Sequence, residues 1–209
     1  MANYINGLFL GELSPYQTLA GAIQVFKNVW PEASSTIESV EAEILNPVSD
    51  LTWNRAATFG PRENHGIRTN YSLNLTTAAK NLNVAVAQDV HNQFYTLLAS
   101  TIGTYVKQFG IDSPMVHEEY SMLRYTDGQE YKAHYDGDTA TGRCVSAILY
   151  LNSNFEGGEV EFINFGVKIK PEAGMLLLFP SNYAYTHIAH PVTFGTKYSL
   201  VTWIKDRVM

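Results

Sequence analysis

The stretch YKAHYDGDTATGRCVSAILYLN, residues 131–152, places a histidine and an aspartate two positions apart, just before a run that reads as a buried strand. On an extended segment, residues i and i+2 point the same way, so His134 and Asp136 can offer an imidazole nitrogen and a carboxylate oxygen to one point in space. Such a pair also arises incidentally, as a histidine with an acidic neighbour. It acquires meaning only if the chain supplies a third group. Two candidates lie downstream, His187 and His190 in YTHIAHPV. Three residues apart, they fall on different faces of a strand, and only one of them can point inward.

Outward from this stretch, the second half of the chain has the rhythm of short strands. The runs VHEEYSMLRY, CVSAILYL, EVEFI, GVKIK, GMLLLF and KYSLVTWI are separated by TDG, NFEGG, NFG and PEAG. This pattern predicts a barrel or double-sheet architecture. The first half reads differently. Pro15 to about Trp30 spaces Leu19, Ile23 and Phe26 on one side and predicts an amphipathic helix. From Thr76 to Phe109, Val86, Val90, Phe94, Leu97, Leu98, Ile102 and Val106 recur at threes and fours before Gly110, which predicts the longest helix. Between the helices, STIESVEAEIL and GIRTNYSLNL alternate and predict strands. Helices first and sheet second, sharing one core, give an α+β fold in which the helices cover one face of the sheet.

With 209 residues, 45% of them hydrophobic and 16% charged, the chain is long enough for one domain with a sizeable core, residues 1–209, comprising a helix-rich supporting half (1–110) and a sheet half (111–209). A formal net charge of −6 with scattered Lys and Arg argues against a nucleic-acid partner. One cysteine, Cys144, rules out an internal disulfide and a thiolate metal cluster, and suits a reducing compartment. The N-terminal MANYINGLFLGELSP shows neither a basic region nor a long apolar run, so no signal peptide or membrane span is expected and the expected location is the cytoplasm.

Two histidines and one carboxylate on one face of an octahedron form the donor set of non-haem Fe(II) oxygenases, which leaves positions open for co-substrate and dioxygen. From Leu123 to Asp206 the sequence resembles the catalytic core of the prolyl 4-hydroxylase branch of the 2-oxoglutarate and Fe(II)-dependent oxygenases. LRYTDGQEYKAHYDGD is similar to the family's tyrosine, glycine, tyrosine and HxD; RCVSAILYLN to its Arg-led strand; EGGEVEF to its GGE turn; VKIKPEAGMLLLFPS to the strand and glycine turn before the distal histidine. HIAHPVTFGTKYSLVTWIKD supplies that histidine, the basic residue and a closing tryptophan. The resemblance implies a double-stranded β-helix, a jelly-roll or cupin-like core, with the first half as supporting helices.

It also implies roles. His187, followed by Lys197, fits the frame of the distal ligand, so the metal set would be His134, Asp136 and His187, with His190 left structural. Lys197 and Tyr150 would take the far carboxylate of 2-oxoglutarate, and Tyr125 and Tyr131 match the two pocket tyrosines, one beside the co-substrate and one beside the substrate, with aromatic packing as the alternative for each. Arg143 matches an arginine at the mouth of the site, or else is a solvated strand cap. Trp203 stands where the family has a tryptophan beside the substrate, or else is core. Ser146 replaces the family's usual threonine. His65, His91 and His117 lack a carboxylate at ligand spacing and are not assigned to metal. The implied activity is hydroxylation of a prolyl residue in a protein or peptide, with 2-oxoglutarate giving succinate and CO2, and with ascorbate as a further cofactor. The segment from Arg55 to Asn70 is expected to form a lid or rim. Alternatives are hydroxylation of a free amino acid, a non-catalytic cupin-like binder of metal or dicarboxylate, a structural barrel, or a zinc hydrolase, for which no general base is placed.

Overall fold

The computed structural model describes residues 4–5, 8–9, 16–56, 66–111, 115–137 and 140–206. Along the chain come β1 (Tyr4–Ile5), β2 (Leu8–Phe9), β3 (Tyr16–Ala20), β4 (Ile23–Phe26), helix α1 (Ala33–Ile44), β5 (Asn54–Arg55), β6 (Tyr71–Asn74), and helices α2 (Leu75–Lys80) and α3 (Ala85–Gln108). Then follow β7 (Met115–His117), β8 (Ser121–Tyr125), β9 (Tyr131–His134), β10 (Arg143–Tyr150), β11 (Glu156–Gly157), β12 (Val160–Phe162), β13 (Val167–Ile169), β14 (Met175–Pro180), β15 (His187–Ala189), β16 (Val192–Phe194) and β17 (Lys197–Asp206). The major sheet runs β3-β4-β14-β10-β17-β8-β6-β5, with β7 also on β17; the minor sheet runs β13-β12-β15-β9. The two sheets form a double-stranded β-helix, and the pairings within them are antiparallel.

Strand β10 shows how the sequence alternation sorts the interior. Val145, Ala147 and Leu149 pack with Phe94, Leu98 and Tyr105 of α3 and with α2 in the larger core, on the helix-covered face. Ser146, Ile148 and Tyr150 turn the other way, into a cavity between the sheets. A second core of Ile23, Val25, Phe162, Leu177 and Phe179 closes the barrel beside it. Among the described residues, no helix is long and apolar enough to cross a membrane.

The helix read from Pro15 to Trp30 is instead the β3–β4 hairpin, with Pro15 itself outside the described residues. Its turn needs Gly21 at φ +53, and β4, paired with β3 and β14 at its edges, is buried at every position because Gln24 and Phe26 pack on the helix side while Ile23 and Val25 enter the second core. A strand covered on both faces loses its alternation, and the spacing of Leu19, Ile23 and Phe26 then imitates a helix. Conversely, STIESVEAEIL is helical, part of α1. The β-branched Thr36 and Val40 lie on its buried side, four residues apart. The long helix is present, but Thr76 to Lys80 belongs to the separate α2, and the break includes Asn83 with a left-handed backbone. Gly110, at φ +61, follows its C-terminus as expected. GIRTNYSLNL yields β6, and VHEEYSMLRY is divided into β7 and β8.

Candidate metal centre and its cavity

His134 ends β9, His187 begins β15, and the two are direct partners across the minor sheet. The third group arrives by other means. Asp136 lies beyond the end of β9, in a bend, where its N–H and that of Gly137 both donate to the Ser181 carbonyl, at 3.0 and 2.8 Å. Strand geometry thus brings the histidines together, whereas the aspartate is placed by a loop. That loop requires Gly137: a Cβ there would sit 2.6 Å from both Cβ and the carbonyl oxygen of Arg143. One donor atom from each of His134, Asp136 and His187 lies within 4.8 Å of the others. The His134 and His187 Nε2 atoms stand 3.5 and 3.8 Å from the two Asp136 oxygens.

Protonation of the rings follows from their partners. His134 Nδ1 faces the Lys132 carbonyl at 2.7 Å and His187 Nδ1 faces the Tyr185 carbonyl at 3.0 Å. A carbonyl only accepts, so each Nδ1 carries the proton and each Nε2 lone pair is directed at the shared point. Tyr131 lies flat on His134, ring centroids 3.4 Å apart, and the Arg68 guanidinium covers the outer face of Tyr131. Ser146 Oγ donates to Asp136 Oδ2 at 2.7 Å and so must accept from Ser181 Oγ, 2.8 Å away. Burial acts to raise the Asp136 carboxyl, but His187, His134 and the Ser146 hydroxyl outweigh it and hold the group well below the usual carboxylate range. Burial lowers His187 to about 4 against the pull of Asp136. Two oriented imidazoles, each with Nε2 aimed at one point, and an ionised carboxylate converging there fit Fe(II) without rearrangement.

The cavity that holds this triad has a volume of about 1120 Å³. Its walls include Tyr125, Tyr131, Arg143, Ser146, Tyr150, Lys197 and Trp203, so the structure brings the residues expected beside the co-substrate and the substrate to one space with the triad. At the end opposite Trp203 on β17, Lys197 is 3% exposed, with its Nζ donating to the Gly158 carbonyl at 2.8 Å and resting 4.4 Å above the Tyr125 ring. Burial lowers the ammonium to about 7, with Glu159 opposing it. Tyr125 and Tyr150 are buried beside it, and burial raises both phenols, Tyr125 to about 12. At the Trp203 end, the Arg143 guanidinium stacks 3.7 Å from the indole.

His190 stands apart from the triad, paired with Glu161 at 2.6 Å. His91 lies in α3 and His117 in β7, while His65 and residues 57–65 of the expected rim lie outside the described residues. Sequence reasoning passed over Ser181, Arg68 and Glu118. Only Gly137, directly after Asp136, carried a local signal.

Residues 120–205 match the model of the 2OG-Fe(II) oxygenase superfamily. A probable prolyl 4-hydroxylase of Arabidopsis thaliana is 34% identical over 119 residues, 43% of this chain and 41% of that protein. The chain spans less than half the length of this and the next curated relatives it matches, at 41, 44 and 46%. Among solved structures, a Trichoplax adhaerens prolyl hydroxylase in complex with a hypoxia inducible factor peptide fragment aligns with TM-score 0.68 at 19% identity, over 90% of this chain and 84% of that one. A Pseudomonas putida prolyl-4-hydroxylase aligns with TM-score 0.62 at 21% identity, over 89% and 93%. With the His-Asp-His centre lining the cavity, residues 120–205 match the 2OG-Fe(II) oxygenase superfamily, and the chain is similar over part of its length to prolyl 4-hydroxylases.

Proposed function

We propose that the protein is a 2-oxoglutarate- and O2-dependent hydroxylase that acts on a prolyl residue of a protein or peptide, giving hydroxyproline, succinate and CO2. The observation that carries this reading is the pairing, in one cavity, of a metal-ready triad with a buried lysine. His134, Asp136 and His187 would hold Fe(II), which when bound supplies the oxidising chemistry that couples decarboxylation of 2-oxoglutarate to insertion of one oxygen atom into a C–H bond. Lys197 answers the far carboxylate of the co-substrate: a buried ammonium lowered to about 7 regains a full charge when a dicarboxylate enters. Tyr150 and Tyr125 flank that position and keep water from it. Tyr131 fixes the ring plane of His134, and we place it, with Arg143 and Trp203, where the substrate meets the site.

We read residues 1–209 as one oxygenase unit working in the cytoplasm on a peptide rather than a nucleic acid, in keeping with the net charge of −6 and the single cysteine. The test is succinate formation by the full chain reconstituted with Fe(II), 2-oxoglutarate and ascorbate, against a panel of proline-containing peptides and free proline. Succinate that rises with a peptide and is abolished by His134→Ala is the expected result. Stimulation by free proline alone would move the substrate to small molecules. Metal binding without succinate under any condition would reduce the protein to a binder.

A further inference from the structure

Glu118 lies between β7 and β8, outside every motif of the site, yet its carboxylate grips Arg143 with two parallel bonds: Nε to Oε1 at 2.9 Å and Nη2 to Oε2 at 2.7 Å. Lys205 Nζ adds a third contact at 2.8 Å. Burial acts to raise this carboxyl, but the two cations outweigh it and hold it below the usual range. The backbone of Glu118 is fixed as well, since its N–H donates to the Trp203 carbonyl at 2.7 Å. Arg143 also reaches the site: Nη1 donates to the Asp136 carbonyl at 3.0 Å, and its plane stacks on Trp203.

The placement of Arg143 is itself built. On β10 the residues facing the cavity are Ser146, Ile148 and Tyr150, so strict alternation would bring Cys144 into the cavity and turn Arg143 away. The register against β17 shifts between Arg143 and Val145, an irregularity that sends Cys144 toward the helix-side core and returns Arg143 to the cavity face. Glu118, from the neighbouring strand connection, stands where it meets the re-aimed guanidinium.

We propose that Glu118 is a positioning residue of the metal centre: by clamping Arg143 against Trp203 it holds the Asp136 carbonyl, and with it the loop that presents the Asp136 carboxylate. This rests on the reading of His134, Asp136 and His187 as the metal set. Partners one shell beyond a metal ligand typically alter affinity by about 10- to 100-fold, and Glu118, acting through Arg143, belongs at the lower end.

The experiment is a Mn(II) titration of the full chain, following the signal of free Mn(II), beside thermal melting. Glu118→Gln keeps the shape and removes the charge; its Kd for Mn(II) should rise about tenfold, and Glu118→Asp should recover part of the loss. Arg143→Ala should weaken binding at least as much, and the Glu118→Gln/Arg143→Ala double variant should bind no worse than Arg143→Ala alone, because Glu118 works only through the arginine. A wild-type Kd in Glu118→Gln with a lowered melting temperature would make the pair a plain structural ion pair and overturn the proposal, as would additive losses in the double variant. Mn(II) binding does not require turnover, so a wild-type chain that binds Mn(II) but forms no succinate would sink the hydroxylase reading and leave this one standing. A wild-type chain that binds no Mn(II) would overturn both.

Discussion

At one end of the cavity His134, Asp136 and His187 are each tied to a neighbour, through Lys132, through Ser181 and Ser146, and through Tyr185. At the other end Lys197 is as deeply buried, but among the described residues only the Gly158 carbonyl lies within its hydrogen-bonding reach and no carboxylate within ion-pair distance. The metal end is arranged before anything binds. On the function proposed above, the lysine end is arranged for a ligand that brings its own negative charge. A buried ion without a counter-charge destabilises the folded chain, and a site tolerates that cost when the ligand removes it.

The sharpest way to break this contrast is Lys197→Met. Replacing the cation with a hydrophobe of similar length should raise the KM for 2-oxoglutarate by roughly 100-fold, the upper range for one hydrogen bond to a charged group. The same variant should melt at a higher temperature than the wild type when no co-substrate is present, since an uncompensated charge has gone. A lowered melting temperature would mean that the ammonium is already well satisfied and would abolish the distinction between the two ends. Next in size, Ser146→Ala removes the donor to Asp136 Oδ2 and should weaken Mn(II) about tenfold with little change in KM for 2-oxoglutarate. Equal effects on both ligands would show that the ends are coupled.

The smallest effect concerns pH. With Lys197 lowered to about 7, the free protein holds it charged below that value and progressively neutral above it. Binding of a dianion above about pH 7 must therefore first restore the proton, and the KM for 2-oxoglutarate should rise roughly threefold between about pH 6.5 and 7.5, a slope absent in Lys197→Met. For stability the sign is opposite. The folded value lies below the unfolded 10.5, so the destabilisation from this group is complete below about pH 7 and fades as pH climbs toward 10.5.

Much of the site could be read from the chain alone because its elements are short, local and punctuated. His134, Asp136, His187 and Lys197 sit in strands or bends bounded by turn residues, and the resemblance chose His187 over His190, which the structure pairs with Glu161 instead. Other features have no local signature. The β3–β4 hairpin and α1 were exchanged because burial on both faces erased alternation in β4, while β-branched residues in α1 imitated it. Arg143 reaches the cavity through a shifted register, which depends on how β10 meets β17 and cannot be seen in either strand. Glu118, likewise, becomes part of the site only through a contact spanning 25 positions.

The direct pairing of His134 with His187 has a consequence for how the protein matures. The two lie about fifty positions apart, with β10 to β14 between them, so both imidazoles face the same point only after the chain has closed that long loop. Metal capture then reports completed assembly rather than helping to start it. Because the ion favours only the finished barrel, its concentration should set how long the newly made chain stays folded, with about 2.7 kcal/mol of added stability when the ion stands at roughly 100 times its Kd.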